Sequence, residues 1–203
     1  MVKSCPPPHL GVIPDGNRRY ATWHGLTIED GYRAGVRKAV EFVEWCYIAG
    51  IEQTTWYGSS SLNVTRRPYA EVAAIHNGIL EFCVAVRERF GVVACVIGDV
   101  RALPHDVPGK HDLISLARPA PDGQPVVRIA VNYSTTAAAC SSPIGPFDLV
   151  IRTGGQHHLS GFLPIESSFA ELWFSDTLWP AFQHSEFLTA LSWYARQQRP
   201  SGD

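Results

Sequence analysis

What most constrains this chain is the way short, mainly apolar runs recur between helical patterns. LGVI (10–13), TTWYG (54–58), VVACVIG (92–98), VVRIAVNY (126–133) and FDLVIRT (147–153) are short and rich in β-branched or aromatic residues, as strands are. Continuous apolar strands need cover on both faces, which a parallel sheet flanked by helices supplies. The segments between them have the matching period. Val36, Val40, Val43 and Tyr47 fall at i, i+4, i+7 and i+11, with Gly50 placed to end that helix. After Pro68, the residues Val72, Ile75, Ile79, Phe82, Val86 and Phe90 keep a three-four rhythm up to Gly91. A last helix begins near Ser185 and carries Phe187, Leu188, Leu191 and Tyr194 on one side. The alternation predicts an α/β fold with a largely parallel central sheet flanked by helices. At 203 residues the chain fits one domain, 1–203.

Composition removes several function classes. With 17 Lys and Arg against 19 Asp and Glu, the net charge is −2, without the positive excess a general nucleic-acid or membrane-surface binder needs. The five cysteines are odd in number and scattered, with no zinc or redox spacing, so reduced thiols in a cytoplasmic protein are expected. No run of apolar residues approaches the length of a membrane span, and the prolines of MVKSCPPPHL break the apolar core a signal peptide needs.

In open α/β sheets ligands sit beyond the carboxyl ends of the strands. There GVIPDGNRRY (11–20) puts Asp15 just past a strand, then Gly16, Asn17, Arg18 and Arg19. A helix starting near Asn17 offers free N–H groups to an anion, and the arginines add charge. An acid beside such a site points to a divalent metal shared between carboxylate and phosphate oxygens. The plainer reading is a DGN turn with solvated arginines.

DLVIRTGGQHHLSGF (148–162) ends a second strand in Arg152, two glycines and Ser160, a set suited to another diphosphate or to an ordinary glycine turn. The adjacent His157 and His158 lack a third spaced ligand. In SSFAELWFSDTLWPAF (167–182) Glu171 stands among apolar residues, as a metal ligand or as one end of a core salt bridge. GSSSLNVTRRP (58–68) is a third polar strand end, with Ser60, Asn63, Arg66 and Arg67. Two anion cradles with isolated acids, and no P-loop, point to diphosphate handling. Helices 31–50 and 68–90 have a pattern that is usually core and is also suited to lining an apolar tunnel.

Together these stretches resemble the cis-prenyltransferase family, the undecaprenyl diphosphate synthase fold. HLGVIPDGNRRYA is similar to its H-x-x-x-I-x-DGN-x-RW-A signature, and GIEQTTWYGSSSLN to its second strand and polar loop. DLVIRTGGQHHLSGFL and FAELWFSDTLWPAF resemble its R-T-x-G-E-x-R-x-S-N-F and Y-A-E-x-x-F-x-D-x-x-W-P-x-F signatures. The resemblance implies that Asp15 holds Mg²⁺ on an allylic diphosphate cradled by Gly16, Asn17, Arg18, Arg19 and one of Arg66 and Arg67. It also implies that Arg152 and Ser160 grip the second diphosphate, that Glu171 lies near the metal, and that Ser60 and Asn63 lie between the substrates. A homodimer is implied too.

The chain departs from the family at Gln156, at His158 in place of arginine, at Gly161, Leu62 and Val64, at Ile28, and at Tyr32 in place of histidine. NYSTT (132–136), the short segment after it, and the terminal RPSGD depart as well. These changes gather where the family holds isopentenyl diphosphate, and leave the allylic side intact. The pattern resembles the lavandulyl-type branch, such as the cyclolavandulyl and isosesquilavandulyl diphosphate synthases, which joins two allylic units head to middle. The expected substrates are then dimethylallyl and geranyl diphosphate. Regular elongation with isopentenyl diphosphate, or a non-catalytic prenyltransferase subunit, are the alternatives.

Overall fold

In a computed structural model that describes residues 6–120, 124–134 and 144–197, the expected alternation is realised as a six-stranded, wholly parallel sheet. The elements run β1 (His9–Ile13), α1 (Asn17–Trp23), α2 (Ile28–Ile48), β2 (Gln53–Tyr57), α3 (Ser61–Arg66), α4 (Tyr69–Phe90) and β3 (Val93–Ile97). They continue with α5 (Lys110–Leu116), β4 (Val126–Ala130), β5 (Leu149–Arg152), β6 (Glu171–Phe174) and α6 (His184–Tyr194). The spatial order is β3-β4-β2-β1-β5-β6. From β1 the chain winds to one side through β2; β5 and β6 later fill the other side. Such a sheet opens a crevice at the carboxyl end where the winding reverses. Here that place lies between β1 and β5, whose register pairs Ile13 with Arg152.

Local sequence accounts for most elements. Strands β1, β3, β4 and β5 are rich in Val, Ile and Leu, and β2 buries Thr54, Thr55 and Trp56. Val72, Ile75, Ile79, Phe82 and Val86 form the buried face of α4, which ends at Gly91 in the left-handed conformation (φ 65°). By length and hydropathy α4 alone among the described residues is long and apolar enough to cross a membrane; here that apolar stripe packs into the core. Two expectations need correction. Tyr47 is exposed, while Val40 and Val43 are buried as expected, on a face that runs through Gly31, Gly35, Ala39, Phe42 and Cys46. On α6 Leu188 is exposed and Ala190 is buried with Phe187 and Tyr194. Residues 171–174, ELWF, form the edge strand β6, in which Trp173 and Phe174 favour a strand and Glu171 does not. Cys46, Cys83 and Cys95 are buried free thiols, as expected. The departures at 135–136, the segment up to 143, and RPSGD lie outside the described residues.

Candidate active site

β1 ends one residue before Pro14, and the chain turns through Asp15 and Gly16 into α1. Gly16 has φ 123°, and a Cβ there would lie 2.9 Å from the Cα of Leu178, so the turn admits no side chain. The turn is held from both sides: the carbonyl of Asp15 accepts from Thr153 Oγ1 (2.9 Å) and from the backbone N–H of Trp179 (3.0 Å). Its carboxylate faces the end of β5. Arg152 Nη2 donates to Asp15 Oδ2 at 2.9 Å, and Arg19 Nη2 to Oδ1 at 3.2 Å. Arg152 is only 5% exposed; it also donates to Ser160 Oγ (2.7 Å) and to the carbonyl of His158. Its Nε has no partner among the described residues. A buried guanidinium with one carboxylate and a spare donor suits an arriving anion.

A second cationic group stands opposite. Arg67 Nη1 donates to Tyr32 OH and to Glu71 Oε1, both at 2.7 Å, and Arg18 Nε lies 3.4 Å from the same oxygen. Tyr32 OH donates to Glu71 Oε1 at 3.0 Å. Burial raises the Tyr32 phenol well above its usual range, against the lowering effect of Arg67, so the hydroxyl stays protonated.

Between these groups opens a chamber of about 640 Å³. Asp15, Gly16, Asn17, Arg18 and Arg19 line its mouth, joined by Arg152 and Ser160. Tyr32, Asn63 and Arg67 line it from α2, α3 and the loop before α4. Its depth is apolar: Val36 and Ala39 from α2, Ile75 and Ile79 from α4, with Trp56 and Phe82 edge to face at 5.1 Å. The two helices that read as either core or tunnel are both. One end of the chamber is charged for an anion, and the remainder excludes water from a hydrocarbon chain.

Other residues singled out in the sequence lie elsewhere. Arg66 is exposed and does not line the chamber; Arg67 is the member of the pair that does. Ser60 caps α3, accepting from the N–H of Asn63 at 3.2 Å, and Asn63 Oδ1 accepts from the N–H of Ser60 at 3.1 Å. That reciprocal cap gives Ser60 a structural task and aims Asn63 at the chamber. The His158 ring is exposed and accepts from the N–H of Ser160 at 3.2 Å, so it steadies the Arg152–Ser160 pair from outside. Glu171 is not brought to Asp15 within this chain. It pairs with Leu149 at the start of β6, three residues before the Arg152–Phe174 pair, about 10 Å along the strands. The identity of a motif residue does not disclose which end of a strand it occupies. Glu71 was missed, although its i,i+4 spacing from Arg67 was a readable signal.

The donor set fits Mg²⁺ in the manner of a substrate-shared ion. Among the described residues no three His, Cys, Asp or Glu side chains gather around one point. Mg²⁺, however, is commonly held by one or two carboxylates with phosphate oxygens and water. Asp15, partly exposed at the chamber mouth, supplies one such carboxylate.

The undecaprenyl diphosphate synthase family model of prenyltransferases matches residues 13–143 and 137–202. The chain is 33% identical to the short-chain Z-isoprenyl diphosphate synthase of Mycobacterium leprae, over 97% of this chain and 88% of that one. It is 32% identical to the (2Z,6E)-farnesyl diphosphate synthase of Mycobacterium tuberculosis, over 98% and 89%. Among solved structures, lavandulyl diphosphate synthase from Lavandula x intermedia, in complex with dimethylallyl diphosphate, superposes with a TM-score of 0.79. That likeness covers 99% of this chain and 100% of the other, at 23% identity, and speaks for the fold.

Proposed function

Because the chain belongs to the undecaprenyl diphosphate synthase family of prenyltransferases, we propose that it joins dimethylallyl diphosphate to a second allylic diphosphate, dimethylallyl or geranyl, head to middle. The observation that carries the reading is Asp15, bridged by Arg19 and Arg152 at the mouth of an apolar chamber walled by α2 and α4. The irregular regiochemistry is supported by the second-diphosphate side. There Arg152 and Ser160 remain, whereas His158, where the family resemblance places an arginine, is not among the chamber-lining residues and sets its ring nitrogen against Ser160.

The reaction asks the protein for three things. Arg18, Arg19 and Arg67 grip the allylic diphosphate, so that the C1–O bond breaks with the electron pair going to the departing group. Asp15 is the residue that would hold Mg²⁺, which when bound would supply further positive charge for that departure. The chamber keeps water off the allylic cation while the internal alkene of the second substrate gives its π electrons to the new C–C bond. A proton then leaves the second unit to restore a double bond.

A second reading, cis elongation with isopentenyl diphosphate, is favoured by the short-chain Z-isoprenyl synthase relatives and by the intact Arg152–Ser160 pair. Supplying Mg²⁺ with dimethylallyl diphosphate alone, with geranyl diphosphate, and with isopentenyl diphosphate decides between them. Mass spectrometry of the dephosphorylated alcohols should show a branched product without isopentenyl diphosphate. A linear cis alcohol that forms only when it is supplied establishes the second reading.

A further inference from the structure

Glu71 is 4% exposed and does not line the chamber, yet its Oε1 is approached by three groups that do. Arg67 Nη1 stands at 2.7 Å, Tyr32 OH at 3.0 Å and Arg18 Nε at 3.4 Å. Four segments meet on that one oxygen: α1 through Arg18, α2 through Tyr32, the link before α4 through Arg67, and the first turn of α4 itself. The placement is electrostatically costly for an anion site, because a buried carboxylate behind the wall repels a diphosphate in front of it. The same carboxylate removes rotamer freedom from two long cations that would otherwise have to be ordered by the ligand.

We propose that Glu71 is a positioning residue, which holds Arg18 and Arg67 in the geometry that receives the allylic diphosphate and ties them through Tyr32 to α2. The proposal rests on the reading of the chamber as a prenyl diphosphate site. Among the described residues, both bonds of Arg67 to Tyr32 and Glu71 run through Nη1, which leaves the rest of its donor fork for a ligand. Helix α4 reinforces the arrangement, because an acid in its first turn lies against the positive end of the helix dipole.

The test uses the full chain and a probe that does not depend on the product formed. Calorimetry with inorganic diphosphate and Mg²⁺ measures the cradle directly, and thermal unfolding monitors the fold. Glu71→Gln keeps the shape and removes the charge. It should bind diphosphate roughly tenfold to a hundredfold more weakly, the loss expected when hydrogen bonds to a charged group go, and KM for the allylic substrate should rise in step. Tyr32→Phe removes one hydroxyl and should weaken binding by about threefold to tenfold. If Glu71→Gln does not fold, Tyr32→Phe carries the test. Affinity that is unchanged or tighter in the variant, the result that simple repulsion predicts, overturns the proposal. A wild-type protein that fails to bind diphosphate overturns the chamber reading itself, and the proposal with it.

Discussion

Replacing Gly35 by alanine should separate catalysis from stability. Gly35 lies mid-way along α2, beneath the start of α1. A Cβ at this position would overlap Asn17 Oδ1, lie 3.0 Å from Asn17 Cγ, and come within 3.3 Å of Trp179 Cδ1. Trp179 cannot simply withdraw, because its indole Nε1 donates to the carbonyl of Gly35 at 2.9 Å. Asn17 is the softer partner: its Oδ1 is buried without a hydrogen-bond partner, and its Nδ2 reaches Pro14 O at a long 3.3 Å. The added methyl therefore displaces the first turn of α1, and Arg18 and Arg19 move with it.

In stability the change nearly cancels. Overpacking costs about 1–3 kcal/mol, and alanine in place of a mid-helix glycine returns about 1 kcal/mol. A net loss of about 0–2 kcal/mol moves the melting temperature of a chain this size by only a few degrees. In activity it does not cancel, since a misplacement of about 1 Å in a positioned cradle costs on the order of a hundredfold. Thermal unfolding and kcat/KM for dimethylallyl diphosphate, measured on the same preparation, give both quantities. Full activity in a folded Gly35→Ala protein would show that the Asn17 contact does not govern the cradle. A large loss of stability with unchanged activity per folded molecule would refute the reasoning in the opposite sense.

Two further outcomes are expected. Asp15→Asn should lower kcat by at least about a hundredfold, and Arg152→Ala should chiefly raise KM for the second substrate, because only the first acts on the departing group; steady-state kinetics with each substrate varied in turn checks the split. His9 and His76 should make the fold acid-sensitive. Burial lowers both to about 4, helped at His9 by the charge of Arg128 and opposed there by the bond to Pro146 O. A folded-state value below the unfolded one of about 6.5 means stability present above pH 6.5 and lost as pH falls toward 4. By pH 5 each contributes a loss of about 2 kcal/mol. Urea midpoints between pH 7 and 5 should fall accordingly, and His76→Asn should flatten the slope; an unchanged slope would remove His76 from the account.

Parts of this protein are legible residue by residue, and their limits have physical causes. The period of α4 survives intact because the core and the apolar depth of the chamber ask the same thing of its stripe, a continuous apolar face. The stripe of α2 was misplaced at Tyr47 because this helix serves two neighbours. Small residues, Gly31 and Gly35, let it close on α1, while Tyr32 and Val36 turn to the chamber. No pattern of hydrophobicity marks a glycine as a contact. Glu171 shows the same limit at the site, since a motif fixes the order of residues along the chain and not their separation across a sheet.

By itself, then, the amino-acid sequence determined the parallel α/β class, the long helix α4, and the polar strand ends that carry Asp15, Arg19, Arg67 and Arg152. Local propensity and hydrophobic period are properties of neighbouring residues, and they act wherever the segment is placed. Only the tertiary structure decided that Asp15 and Arg152, 137 residues apart, share an ion pair, that Arg67 rather than Arg66 faces the chamber, and that Glu71 stands behind the arginines. Those outcomes depend on strand order and helix approach, set by packing the whole core at once.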